Sequence, residues 1–276
     1  MEITWYGNAS IRVIAQGRSL LFDPFVPLPR ACYAMSAEQF LPAPHVFITH
    51  GHVDHLHSTP TLIQLGAQEV YATSTPCATL MKYGVAQENL RVIGPGAELR
   101  FLMGDDVDGN DKFITVTVKR GKHIRFDLPL VFTTLLNPRM LRYANNAKTL
   151  FRLNKVSPEN NETVVYEISD GCLRITLMGS LALSDGERYT LGSDLLILPY
   201  QGNSRLVSIA LSIVEQLLPR AVLLDHFDNA FPPLSRNIDT GPFVKKMARL
   251  HPEIPVIVPQ RGAVYTAPHQ ASRQSS

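Results

Sequence analysis

The chain has 276 residues with 26 Lys and Arg against 24 Asp and Glu, a formal charge of +2, so it lacks the basic excess that drives binding to a nucleic-acid backbone. A hydrophobic content of 45% suits a sizeable buried core and excludes a disordered chain. No apolar run reaches the roughly 18 residues of a membrane span, and the first residues lack the basic-then-apolar pattern of a secretory signal.

The chain opens with β-rich runs at Ile3 to Tyr6, Ser10 to Ala15 and Ser19 to Phe22, separated by turns at Gly7-Asn8 and Gln16-Gly17, which predicts an antiparallel meander. Pro24, Pro27 and Pro29 then stop the sheet, and Cys32 lies just beyond. Val46-Phe47-Ile48 reads as a short buried strand ending in a histidine cluster. Apolar spacing predicts helices over Thr59 to Leu65 and Pro76 to Tyr83, each followed by a strand, at Val70 to Ala72 and Arg91 to Ile93. The second half repeats this character, with strands at Phe113 to Val118, Val164 to Ile168, Leu173 to Met178, Leu195 to Leu198 and Val222 to Leu224, and a helix from about Leu206 to Leu217. Two β-rich halves with helices between them predict an α/β fold, a four-layer αββα sandwich. We expect one domain over residues 1–267, with an insertion at about 124–160, and a disordered tail at 268–276 rich in Ser and Gln. Three cysteines, Cys32, Cys77 and Cys172, stand far apart and in no metal-type pair, which suits a reducing compartment and predicts a cytoplasmic protein.

Chemistry concentrates in Thr49-His50-Gly51-His52-Val53-Asp54-His55, a loop delivered by a buried strand. His50 and His52 can turn toward one ion while Asp54 and His55 face a second one about 3.5–4 Å away, through the imidazole and carboxylate donors that zinc accepts. Four of the nine histidines, with His57 the fourth, fall in this stretch, and burying them without partners would be costly. His57 lies outside the spacing and reads as a surface ring or a supporting one.

His-x-His-x-Asp-His after a buried strand resembles the signature of the metallo-β-lactamase superfamily. Ile3-Thr4-Trp5-Tyr6-Gly7-Asn8-Ala9-Ser10 and Leu21-Phe22-Asp23-Pro24 look like the branch containing L-ascorbate-6-phosphate lactonase. The resemblance implies the αββα fold and a third ligand to the first metal, which matches His123, the only histidine between 58 and 225. It implies a last ligand at the end of a late strand, matching His226, with Asp225 and Asp228 as acceptors for the ring's other N–H. Asp23 would stand beside the metal loop, although an Asp before proline also forms turns. Relatives carry Gly-Asp where this chain reads Gly179-Ser180, so the bridging carboxylate is missing and the second ion should bind less tightly. Asp185 is nearby in sequence, with no spacing rule to place it in the gap.

The chemistry that follows is hydrolysis, because zinc lowers the pKa of bound water to about 7 and polarises a carbonyl or phosphoryl oxygen. Asp54 would hold the second metal and orient the water. We expect one or two zinc ions, with manganese or iron as alternatives, and a small-molecule lactone, ester, amide or phosphodiester as substrate. The competing reading, motivated by Ser180, is a metal-binding paralogue without turnover, acting as a sensor or structural protein. Ile124 to Asn160 is too apolar for a linker and should fold, partly as helix around Pro138 to Leu153. Its basic surplus predicts a lid or pocket wall from which Arg139, Arg142 or Arg152 meets an anionic substrate group; the alternative is a homo-oligomer interface.

Overall fold

A computed structural model of the protein describes residues 1–105, 111–128, 132, 136–154 and 157–267. The tail at 268–276 and parts of the 124–160 segment lie outside the described residues.

In the first sheet, β1 (Glu2–Gly7), β2 (Ser10–Ala15) and β3 (Arg18–Phe22) form the expected antiparallel meander, and β4 (His45–Phe47), β5 (Glu69–Ala72) and β6 (Leu90–Val92) continue from β3 in parallel. The second sheet runs antiparallel through β7 (Glu98–Asp105), β8 (Asp111–Arg120), β9 (Val164–Ser169) and β10 (Arg174–Met178). It continues in parallel through β11 (Leu195–Pro199), β12 (Val222–Asp225) and β13 (Val256–Ile257). The final strand, β14 (Val264–Thr266), returns to the first sheet and pairs with β1.

Strand periodicity explains the layers, because successive side chains face opposite sides of a sheet. Leu20, Phe22 and Phe47 point inward and pack with Ile114, Tyr166, Ile175, Ile197 and Leu223 of the other sheet. Their neighbours Leu21 and Val46 point outward against helices α2 (Thr59–Gln64) and α3 (Ser74–Lys82), through Leu62, Cys77 and Leu80. On the far side Val222 and Leu224 meet α6 (Leu206–Leu217) and α7 (Gly241–Leu250) through Ala210, Val214, Phe243 and Met247. Two sheets face to face with helices outside give the expected αββα sandwich. α1 (Val53–Leu56) follows β4, and α4 (Arg139–Arg142) and α5 (Ala144–Asn154) lie in the 124–160 segment, where a partly helical fold was expected.

β7 and α7 were not anticipated. The register of β7 shifts between Leu102 and Gly104, and the polar-apolar alternation of Glu98, Leu99, Arg100 and Phe101 breaks at Leu102-Met103. α7 begins at Gly241-Pro242, with Pro in the first turn, and buries only Phe243 and Met247, four residues apart.

The pairing also fixes where functional groups collect. β1, β3 and β4 end at one edge of the first sheet, and β8, β10 and β12 at one edge of the second. The segments after these ends carry Asn8, Asp23, His50, His123, Ser180 and His226.

Candidate metal centre

β4 hands over to Thr49, whose N–H and hydroxyl donate to the two carboxylate oxygens of Asp23 at 2.8 and 2.6 Å. With its single proton given to Asp23, the Thr49 hydroxyl accepts from His50 Nδ1 at 3.0 Å, which leaves the Nε2 lone pair of His50 free. Gly51 is required by crowding, since a Cβ there would lie 2.1 Å from the Pro158 carbonyl oxygen that crosses above it. His52 caps α1, and its single turn carries Asp54 and His55. The expectation of a loop through His55 is thus corrected: the second half of the motif is helical, which sets Asp54 and His55 apart from His50 and His52.

Two trios result. Ligand atoms of His50, His52 and His123 lie within 4.8 Å of one another, and so do those of Asp54, His55 and His226. In the first, His50 Nε2 is 3.2 Å from His52 Nδ1, and His123 donates Nδ1–H to the Ile124 carbonyl at 2.8 Å, leaving its Nε2 free. In the second, Asp54 Oδ2 is 3.2 Å from His226 Nε2 and 3.6 Å from His55 Nε2. His55 Nδ1 bonds Asp23 Oδ2 at 2.8 Å, the carboxylate-to-imidazole support that orients metal-binding histidines.

The trios differ electrostatically. Burial pushes His50 well below its ordinary pKa and His52 down to about 4, and the surrounding imidazoles add to this at His50. His123 is also lowered, chiefly by burial. These rings are neutral and offer lone pairs. Burial would raise Asp54 and lower His55, but the neighbouring groups outweigh it: His55 and then His226 hold Asp54 down, while Asp23 and then Asp54 bring His55 up to about 9. Both trios fit a divalent cation, because imidazole and carboxylate donors about 2.0–2.2 Å from one ion crowd together in this way.

His226 follows β12 with φ +57°, a left-handed backbone that is rare for a residue with a side chain. Neither Asp225 nor Asp228 accepts from its ring, and its Nδ1 is buried without a hydrogen-bond partner among the described residues. Both oxygens of Asp228 instead take the Asn8 N–H, at 3.1 Å each. Asp225 is buried with an unpartnered Oδ1, and burial, reinforced by nearby Asp23, pushes its carboxyl well above the usual range.

Ser180 lies at the site, as its place after β10 predicts, but its hydroxyl accepts from the Ile124 N–H at 3.0 Å and so steadies the residue after His123. Asp185 is exposed and paired with Lys122 at 2.7 Å, and it joins neither trio. His57 also stays outside them, with its ring edge toward Tyr83.

Both trios face one cavity of about 300 Å³. The 124–160 segment walls it with Ile124, Phe126 and Leu150, and Phe231, Leu234 and Ile238 add to the apolar lining. Leu150 of α5 packs with Phe25, Val53 and Phe231. Arg139, Arg142 and Arg152 do not line the cavity. Arg139 donates to Asn229 Oδ1 at 3.0 Å and to the Ser235 carbonyl at 3.3 Å, while Arg142 and Arg152 are exposed. Among the described residues the arginine in the lining is Arg236, which is exposed, and no periodic or motif signal marked it in the sequence.

The sequence pattern of the beta-lactamase superfamily domain matches residues 2–224. The UPF0173 metal-dependent hydrolase of Methanocaldococcus jannaschii is 27% identical over 264 residues, covering 94% of this chain and 97% of its own. Among solved structures, Igni18, a metallo hydrolase from Ignicoccus hospitalis, superposes with a TM-score of 0.60 at 16% identity, over 96% of this chain and 97% of its own. Zn(2+)-bound PqqB from Methylobacterium extorquens superposes with a TM-score of 0.53 at 15% identity, over 93% of this chain and 86% of its own.

Proposed function

The chain belongs to the beta-lactamase superfamily, and within it we propose a metal-dependent hydrolase whose two ions, most simply zinc, are held by His50, His52 and His123 and by Asp54, His55 and His226. The observation that carries this reading is the pair of donor trios facing a single cavity. The related UPF0173 metal-dependent hydrolase, aligned over nearly its whole length, supports the reaction class. The zinc-bound relative supports the choice of metal. Bound divalent ions would supply a nucleophilic water at neutral pH and polarise the substrate's carbonyl or phosphoryl oxygen.

The chain's own residues do the rest. Asp54 carries the negative charge of the second trio and stands where it can orient a water for attack. Asp23 and Thr49 fix the rings of His50 and His55, so the donors keep their direction without substrate. The apolar walls exclude bulk water, and the cavity, near the lower end of ligand-pocket sizes, suits a compact molecule. Arg236 offers a bidentate donor to an anionic group at the cavity's edge, the role the sequence had suggested for the segment's arginines. A lactone, ester, amide or phosphodiester fits this arrangement, and the likeness of Ile3 to Ser10 and Leu21 to Pro24 to the ascorbate-phosphate lactonase branch places lactones first among them. Exposed, unpaired Cys32 and Cys172 support a cytoplasmic setting.

The test is metal analysis of the purified protein together with turnover of a panel of lactones, esters and phosphodiesters. Chelator-sensitive hydrolysis restored by zinc is the expected result. Two bound ions with no turnover anywhere on the panel would favour the paralogue without catalysis that Ser180 suggests.

A further inference from the structure

The first hairpin turn reaches the centre of the molecule. Asn8 and Ala9 join β1 to β2, and Asn8 is 0% exposed with φ +49°. Most left-handed turn residues sit at the surface, where Asn is favoured because its short side chain tolerates that conformation. Here the hydrogen bonds of Asn8 are internal. Its Nδ2 donates to the Asp54 carbonyl at 2.7 Å, and its own carbonyl accepts from the His226 N–H at 2.8 Å and from Trp5 Nε1 at 2.8 Å. Its N–H goes to Asp228.

We propose that Asn8 is a positioning residue for the second metal site, tying Asp54 of α1 to His226 after β12 through one buried turn. The inference rests on the metal-centre reading above. Asp54 and His226 lie 172 positions apart in the sequence and come from different sheets' rims. Each meets Asn8 through its main chain, so Asn8 fixes where both side chains start. The left-handed backbone of His226 is strained for a residue with a side chain; the bond from its N–H to Asn8 holds that conformation.

A second layer holds the turn in place. The Tyr33 phenol lies over Gly7, where a Cβ would come 2.0 Å from its oxygen and 3.0 Å from Asp228 Oδ2. Arg261 stacks on the Tyr33 ring at 3.8 Å. Asp228 therefore hydrogen-bonds toward the metal centre through Asn8, and makes no hydrogen bond to the imidazole of His226. Among the described residues, the hydrogen bonds of Asn8 reach none of His50, His52 and His123, so its influence should be confined to the second trio.

Asn8→Gly is the discriminating variant, since Gly accepts the left-handed backbone and keeps every main-chain bond while losing only the link to Asp54. Zinc affinity of each site is read by competition with a graded chelator, and geometry by the visible spectrum of the cobalt-substituted protein. The expected result is an affinity loss of about 10–100-fold at the second site, with the first unchanged. The cobalt spectrum should change for the second ion only, and kcat should fall with little change in KM. Asp228→Asn, which alters the cradle without touching a ligand, should produce the same selective loss on a smaller scale.

Parental affinity at both sites in Asn8→Gly would overturn the proposal. Equal weakening of both sites would do so too, because it would mark a general structural role. A parent protein that binds no second ion would instead sink the two-site reading on which the proposal stands.

Discussion

The two trios share a cavity but are built differently. His50, His52 and His123 are neutral rings aimed by local bonds, to Thr49 from the adjoining residue and to Ile124 from the next one along. The second trio contains the carboxylate of Asp54, and its support comes from afar, from Asp23 after β3, Asn8 after β1 and Asp228 through Asn8. The first trio is mostly set by neighbours in sequence, whereas the second depends on several chain segments arriving together. Its ion should therefore be the more easily lost, independently of Ser180.

Removing donors from the first trio gives the largest effect. His50→Ala and His123→Ala should each lose the tightly held ion and leave no measurable turnover, as elemental analysis and initial rates would register. Unchanged metal content in both variants would show that the trio is not the stronger site.

Next in size is Asp23→Asn. The amide retains an acceptor for Thr49 but loses the charge that steadies His55, so second-site affinity and kcat should drop by about 10–100-fold. Since Asp23 also receives the Thr49 hydroxyl, a smaller loss at the first site is expected through His50. Losses of equal size at the two sites would erase the contrast between locally and remotely supported trios.

How far the sequence showed this contrast follows the same division. Thr49 to His55 announces its trio members because ligand spacing within one short loop is a local pattern. The core strands were equally plain, since Leu20 to Phe22 and Val222 to Leu224 are apolar on both faces, as strands covered by another sheet and by helices must be. Asn8 looked like an ordinary turn residue, because nothing local reports that a hairpin tip is buried against residues 46 and 218 positions away. Arg236 was hidden for the same reason, and the surplus charge of Arg139, Arg142 and Arg152 drew attention to a segment whose contribution to the cavity is apolar. Charge composition finds basic segments, but only the packing of α5 through Leu150 decides which face of such a segment meets the cavity.

Ser180→Asp sharpens the comparison by restoring a carboxylate between the trios. It should tighten the second ion by about tenfold, equivalent to one charge-assisted contact. The bond from Ile124 N–H to Ser180 Oγ can pass to a carboxylate oxygen, so the wall beside His123 need not move. Calorimetric titration with zinc would show the change, and an unaltered second affinity would place the weakness of that site in its long-range support alone.

The smallest expected effect concerns the wall that both trios face. Gly202 has φ +100°, and a Cβ there would lie 2.7 Å from Ile124 Cγ2 and 3.5 Å from Phe126 Cε1. Gly202→Ala therefore adds backbone strain of about 1–2 kcal/mol and presses on the residue next to His123. Thermal unfolding of the metal-free protein should register the destabilisation. In the loaded protein any effect on metal affinity should appear at the first site, because the Ile124 carbonyl bonds His123 and, among the described residues, Ile124 makes no hydrogen bond with the second trio. A shift confined to the second ion would mean that the cavity wall couples the trios in the opposite sense, and the division between local and remote support would have to be redrawn around the wall.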